Sequence, residues 1–195
     1  MTNYDNIFIL DTEATSPSPM TGLMTEFGIV HMISGLSFYG KLYDFTPHPD
    51  IPALPVVTNP QSSTYFRAEF RPSDPYIPGS ELYELDMCGL HTLAREVSSW
   101  VTQTCPHGQR PIMVSDNPGF DNMWFTCFLD SQEVSNPFGF SSRRIGDFYA
   151  GTKGDWRRSS DWKKLRKTAH THNPVDDARG NAEALREILN IDSDG

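Results

Sequence analysis

The sequence is poor in cysteine, in long apolar runs and in positive charge. Its three cysteines, Cys88, Cys105 and Cys127, are odd in number, far apart and include no C-x-x-C pair. That excludes a disulfide framework and points to a reducing setting, with a cytoplasmic location expected. No apolar run approaches the roughly 20 residues of a membrane-spanning helix, so no membrane partner is expected. The opening stretch MTNYDNIFIL has no basic region before its apolar run, so no signal peptide is expected. No internal repeat covers whole elements. The net charge of −9 argues against binding nucleic acid through bulk charge alone.

The charge that is present is uneven. Residues 143–167 hold nine of the 16 Lys and Arg and three of the 25 Asp and Glu, so this segment is +6 and the remainder −15. Such a segment is either a solvated charged face or a local site for a polyanion. Trp156 and Trp162 lie among the cations, and aromatics interleaved with Arg and Lys suit a nucleic-acid strand. With 195 residues, 37% hydrophobic and 12% aromatic, the chain suits one globular domain, spanning 1–195, with a sizeable core.

Short apolar runs rich in strand formers predict strands in NIFILDTEA, MTEFGIVHMI and LSFYGKLYDF, the three forming an antiparallel meander. Residues 46–80 carry eight of the 15 prolines, so this insertion is expected to be mostly loop. The island STYFRAEF within it fits an edge strand or a short helix equally well. Helical spacing predicts a helix over CGLHTLAREVSSWV, then a buried strand in RPIMVSD, then helices in NPGFDNMWFTCFLD and NPVDDARGNAEALREIL. The order implies one α/β domain with a mixed β-sheet flanked by α-helices.

Four carboxylates stand out. Asp11 and Glu13 are two residues apart at the end of the first strand, so both point to one face. They form an exposed strand end, with Thr12 facing the core, or they share a cation. The spacing N-P-x-x-D occurs twice, at Asn117–Asp121 and Asn173–Asp177. Asn suits a helix cap and Pro the first helical position, so capping explains the spacing and puts each Asp one turn in. Direction is a separate matter. At about 100° per residue, Asp121 falls in the middle of the face formed by Phe120, Trp124, Phe125 and Phe128. A carboxylate there is costly unless paired or bound to a cation. The same wheel turns Asp176 toward solvent, and Asp177 toward the stripe of Val175, Ala178, Ala182 and Leu185. His172, five residues ahead of Asp177, has the chemistry of a general base near neutral pH. His170 reads as an ordinary polar loop residue.

Taken in order, FILDTEATS, EFGIV, NPGFD and HNPVDDA resemble the motifs of the DEDD exonucleases in their histidine-containing DEDDh branch. HTHNPVDDARGNAEAL looks most like small stand-alone exoribonuclease-like members. The resemblance covers most of the chain and implies an RNase H-like fold. It implies two divalent ions, Mg²⁺ or Mn²⁺, held by Asp11, Glu13, Asp121 and Asp177, with Asp11 shared and His172 as base. The implied reaction shortens single-stranded nucleic acid, RNA more than DNA, from its 3′ end to nucleoside 5′-monophosphates. Ala14 and Thr15, in the loop after the first motif, and Asn117 of the second are the substrate contacts it implies. Arg157 and Arg158, from the basic segment, are expected to steer the strand. A homodimer is a further expectation. Two features depart from the pattern: the 46–80 insertion is longer than in compact members, and ATSPSPMTG lengthens the loop after Glu13. Rival readings are a single-stranded DNA exonuclease, a binding module without turnover, and a zinc hydrolase using His170 and His172. Asn173 and Pro174 interrupt the H-x-H-x-D-H ligand pattern of the last.

Overall fold

The computed structural model describes residues 4–42, 46–47, 55–56, 65–69, 82–85 and 89–191. Strands β1 (Ile7–Ala14), β2 (Met24–His31) and β3 (Ser37–Lys41) form the expected antiparallel meander. The insertion contributes a two-residue pair, β4 (Thr46–Pro47) with β5 (Pro55–Val56), and then β6 (Tyr65–Glu69) and β7 (Leu82–Leu85). After these come α1 (Leu90–Thr104), β8 (Ile112–Ser115), α2 (Pro118–Ser131), β9 (Ser142–Arg144), α3 (Ile145–Lys153), two 3₁₀ turns (Trp156–Arg158 and Asp161–Leu165) and α4 (Pro174–Ile188).

The main sheet has seven strands in the order β7-β6-β3-β2-β1-β8-β9. β8 runs parallel to both β1 and β9, while the β7-to-β1 half is antiparallel, so the sheet is mixed. STYFRAEF resolves as strand because β3 offers it an edge: Phe38 to Lys41 pair with Ala68 to Tyr65. The indole of Trp100 on α1 donates to Glu69 O at 2.8 Å and holds that strand against the helix. The strand in LYEL and the short strand and helix within the basic segment carried no clear periodic signal. Among the described residues no helix is long and apolar enough to cross a membrane. Cys105 and Cys127 are free thiols, and Cys88 lies outside the described residues.

Strand alternation divides the core into two layers. Phe8 and Leu10 face α1 and α2, packing with Phe27, Phe38, Trp100 and Phe125. Ile9 faces the other way, with Val30, Val114, Ile145, Trp162, Ala178 and Leu185. The same alternation puts Thr12 into the first layer, where it is buried, and leaves Asp11 and Glu13 on the α4 side.

Gly28 lets α4 reach that position. It pairs with Asp11 across the β1–β2 ladder. A Cβ there would overlap the backbone of Pro174 and Val175 at the start of α4. The absent side chain therefore brings the first turn of α4, and with it Asp177, down onto the end of β1. Gly28→Ala is expected to push the helix off the sheet and to lower stability by about 1–3 kcal/mol, as overpacking does. A thermal denaturation curve would read this as a drop of about 3–10 °C in Tm, and an unchanged Tm would refute the close approach.

Candidate metal centre

β8 ends beside the middle of β1, just short of Asp11, and α2 starts just after β8. Open sheets bind ligands beyond the carboxyl ends of parallel strands, and Asp11, Glu13 and Asp177 meet there, with Asp121 close enough to repel Asp11. Asp11 and Glu13 arrive from β1, Asp121 from the first turn of α2 and Asp177 from the first turn of α4. Ligand oxygens of Asp11, Glu13 and Asp177 lie within 4.8 Å of one another.

Asp121 sits among Trp124, Phe125 and Phe128 and is itself buried, as its wheel position predicts. Its Oδ1 accepts from Thr12 N at 3.2 Å and from the Thr12 hydroxyl at 3.1 Å, and its Oδ2 accepts from Asn117 N at 3.3 Å. These bonds tie the carboxylate to the end of β1. Asp177 is 1% exposed. Its Oδ1 accepts from Thr171 N at 3.1 Å, while Oδ2 has no aligned hydrogen-bond donor. The nearest cationic group to Oδ2 is His170, with Nδ1 2.8 Å away as a charge pair when the ring is protonated. His172 is largely exposed, and its Nδ1 is 3.8 Å from Glu13 Oε1.

The two N-P-x-x-D copies are not equivalent in their caps. Asn173 Oδ1 accepts from Val175 N and Asp176 N, as an N-cap should. Asn117 makes no side-chain cap bond, which corrects the capping role expected of it. Its backbone N–H donates to Asp121 Oδ2, one turn into the helix, a contact that fixes the carboxylate but caps none of the helix's own first N–H groups. Asn117's side chain is left exposed at the start of α2. Asp176 is the outward acid, paired with Arg179 at 3.5 Å.

The electrostatics are those of a crowded anionic site. Burial, and then repulsion from Asp121, Asp177 and Glu13, pushes Asp11 up to about 8, with Arg166 pulling the other way. Burial also raises Glu13, opposed first by His172. Asp121 is pushed up to about 6 by burial. The bonds from Thr12 and Asn117 hold it back, as does the nearby Ser115 hydroxyl, which has no aligned partner of its own. Three carboxyls shifted toward the protonated form mark a place that wants either protons or a cation. All donors in this set are oxygens, and that favours hard ions such as Mg²⁺ or Mn²⁺.

A cleft of about 510 Å³ adjoins Asp11 and is lined by Asp116, Lys163, Arg166, Lys167, Thr168 and His170. Lys163 Nζ pairs with Asp116 Oδ2 at 2.6 Å, and Arg166 Nη2 lies 4.0 Å from the same oxygen. Arg166 is mostly buried, stacked on Trp162 at 5.0 Å, and its Nε has no partner. Arg157 and Arg158 do not line this cleft. Arg157 pairs with Asp155, just before their 3₁₀ turn, and Arg158 with Asp161, at the start of the next. Thr15 is taken up closing the loop after β1, its N–H donating to Leu23 O at 2.9 Å and its hydroxyl accepting from Leu23 N at 3.0 Å. Ala14 packs against the core beside it.

Sequence reasoning missed Gly28, Lys163, Arg166 and the partnership of His170. The charge pattern marked the segment that holds Lys163 and Arg166 but could not choose among its nine cations. The spacing of His170 from Asp177, seven residues, was a signal without a frame. Comparison with known proteins finds no matching family model and no matching curated protein.

Proposed function

We propose that the protein is a metal-dependent 3′–5′ exonuclease of the DEDDh type, with an RNase H-like fold. It acts on single-stranded nucleic acid, RNA in preference to DNA, and releases nucleoside 5′-monophosphates. One observation carries this reading: Asp11, Glu13 and Asp177 bring oxygens within 4.8 Å of one another, with Asp121 near enough to repel Asp11 and His172 beside Glu13. Repulsion of Asp11 by Asp121, Asp177 and Glu13 outweighs the pull of Arg166, which leaves the cluster short of positive charge.

When bound, two divalent ions supply charge neutralisation and polarise the phosphodiester. Asp11, Glu13, Asp121 and Asp177 would hold these ions, with Asp11 as the shared ligand. His172 turns Nδ1 toward Glu13, which orients the ring and leaves Nε2 to take the proton of the attacking water. Lys163, Arg166 and Lys167 hold the phosphates of the strand in the adjoining cleft, a role that suits them better than Arg157 and Arg158. Ala14, Thr15 and Asn117 border the position of the terminal nucleotide.

The test is a time course with Mn²⁺ on matched RNA and DNA oligonucleotides, 3′-labelled, with free or blocked 3′ ends. Labelled nucleoside 5′-monophosphate is expected from free ends only, faster from RNA. Intact strands together with measurable binding would identify a binding module instead. His172→Ala is expected to lower kcat by about 10²–10⁴ while changing Mn²⁺ affinity little, the signature of a lost base. A parallel loss of metal affinity would make His172 a ligand and remove its role as base.

A further inference from the structure

The first turn of α4 and the segment before it offer a second donor set, different in kind from the four carboxylates. His170 Nδ1, a ring nitrogen of His172 and an oxygen of Asp177 all lie within 4.8 Å of one another. Asp177 supplies the buried end of the set. It is 1% exposed, its Oδ1 is fixed by Thr171 N, and its Oδ2 lacks an aligned donor with His170 Nδ1 2.8 Å away. His172 has φ 59°, a left-handed backbone that turns the chain so the two imidazoles meet with centroids 4.5 Å apart. Both rings are more than half exposed and so have room to adjust to an ion.

Two imidazoles and a carboxylate differ in kind from the all-oxygen set of Asp11, Glu13 and Asp177. Imidazole suits Zn²⁺ and its neighbours, and two His with one acid is a familiar three-ligand zinc set that leaves a position for water. The two sets share Asp177, and the second also takes His172. We infer that His170, His172 and Asp177 form a zinc site whose occupation is exclusive with the catalytic arrangement, so that Zn²⁺ inhibits the enzyme. The inhibitory role rests on the exonuclease reading; the zinc site does not. A zinc ion there would be held by His170, His172 and Asp177 and would engage both Asp177 and the imidazole that serves as base. His170 is then the residue that belongs to the zinc set alone.

The experiment titrates Zn²⁺ into the full chain against a chromophoric zinc chelator, for wild type, His170→Asn and Asp11→Asn, with melting curves to confirm folding. Wild type and Asp11→Asn are expected to bind one equivalent with similar affinity, and His170→Asn at least tenfold more weakly. In the Mn²⁺-supported oligonucleotide assay, with each protein measured against its own zinc-free rate, zinc is expected to stop wild type at concentrations that leave most of the His170→Asn rate in place. Equal zinc affinity in wild type and His170→Asn overturns the site. So does weakened binding in Asp11→Asn alone, which would put the ion on the oxygen set. If no strand is degraded with Mn²⁺ while zinc binding still needs His170, the exonuclease reading and the inhibition fall and the zinc site stands.

Discussion

Asp11→Asn is expected to abolish metal-dependent hydrolysis and, at the same time, to stabilise the metal-free protein. The first effect follows from position. Asp11 is the carboxylate nearest the other three in charge, since it alone is raised by Asp121, Asp177 and Glu13 together. Losing the shared ligand removes several kcal/mol of transition-state stabilisation, or about a thousandfold in rate or more. The second effect follows from the same repulsion. An amide of equal shape carries no charge into a crowded site, so the cost of burying the carboxylate disappears. Activity is read on the 3′-labelled strand and stability by chemical denaturation in excess chelator at pH 8. Loss of both activity and metal-free stability would mean that Asp11 holds a structural cation partner, and that the site is a salt-bridge cluster.

Without divalent metal, the protein is expected to lose stability as pH rises from about 4 toward about 8, and Mn²⁺ or Mg²⁺ is expected to reverse that loss. Asp11, Glu13 and Asp121 all have folded-state values above their unfolded ones, Asp11 about 8 and Asp121 about 6. In that window the folded chain binds more protons than the unfolded chain, so stability declines with pH. Above about 8 all three are charged in both states and the decline ends. Metal competes with those protons, so its stabilisation grows with pH. At a hundred times its dissociation constant, a bound ion adds about 2.7 kcal/mol, or about 5–10 °C in Tm for a chain of this size. Differential scanning fluorimetry from pH 5 to pH 8.5, with chelator or with Mn²⁺, measures the gap. A gap that stays constant or narrows with pH would contradict the assignment of these carboxyls as metal ligands.

Much of this site was legible before any tertiary structure. Alternation in NIFILDTEA determined that Asp11 and Glu13 share a face and that Thr12 is buried. The helical wheel determined that Asp121 and Asp177 point inward and Asp176 outward, and the structure agrees in each case. The physical reason is that local periodicity fixes which way a side chain leaves its element. STYFRAEF was undecided between edge strand and helix because a strand's stability lies in its partners, and β6 forms an inner strand between β7 and β3, the latter more than 20 residues away.

The features that needed the fold are all juxtapositions. Asn117 makes no cap bond, and its backbone N–H instead meets a carboxylate that Thr12 of β1 also holds. Arg157 and Arg158 pair with Asp155 and Asp161, whereas Lys163 and Arg166 line the cleft beside Asp11 because the Asp161–Leu165 turn packs on α4. His170 carried no signal of its own until Asp177 was placed 2.8 Å from its ring. By itself, then, the sequence determined β1 to β3, β8, α1, α2 and α4, the inward carboxylates and the shared spacing of HNPVDDA and NPGFD. Which groups meet at the end of β1 was decided by tertiary structure alone. Contacts between distant segments depend on close approaches such as that of Gly28 to α4, which no local pattern encodes.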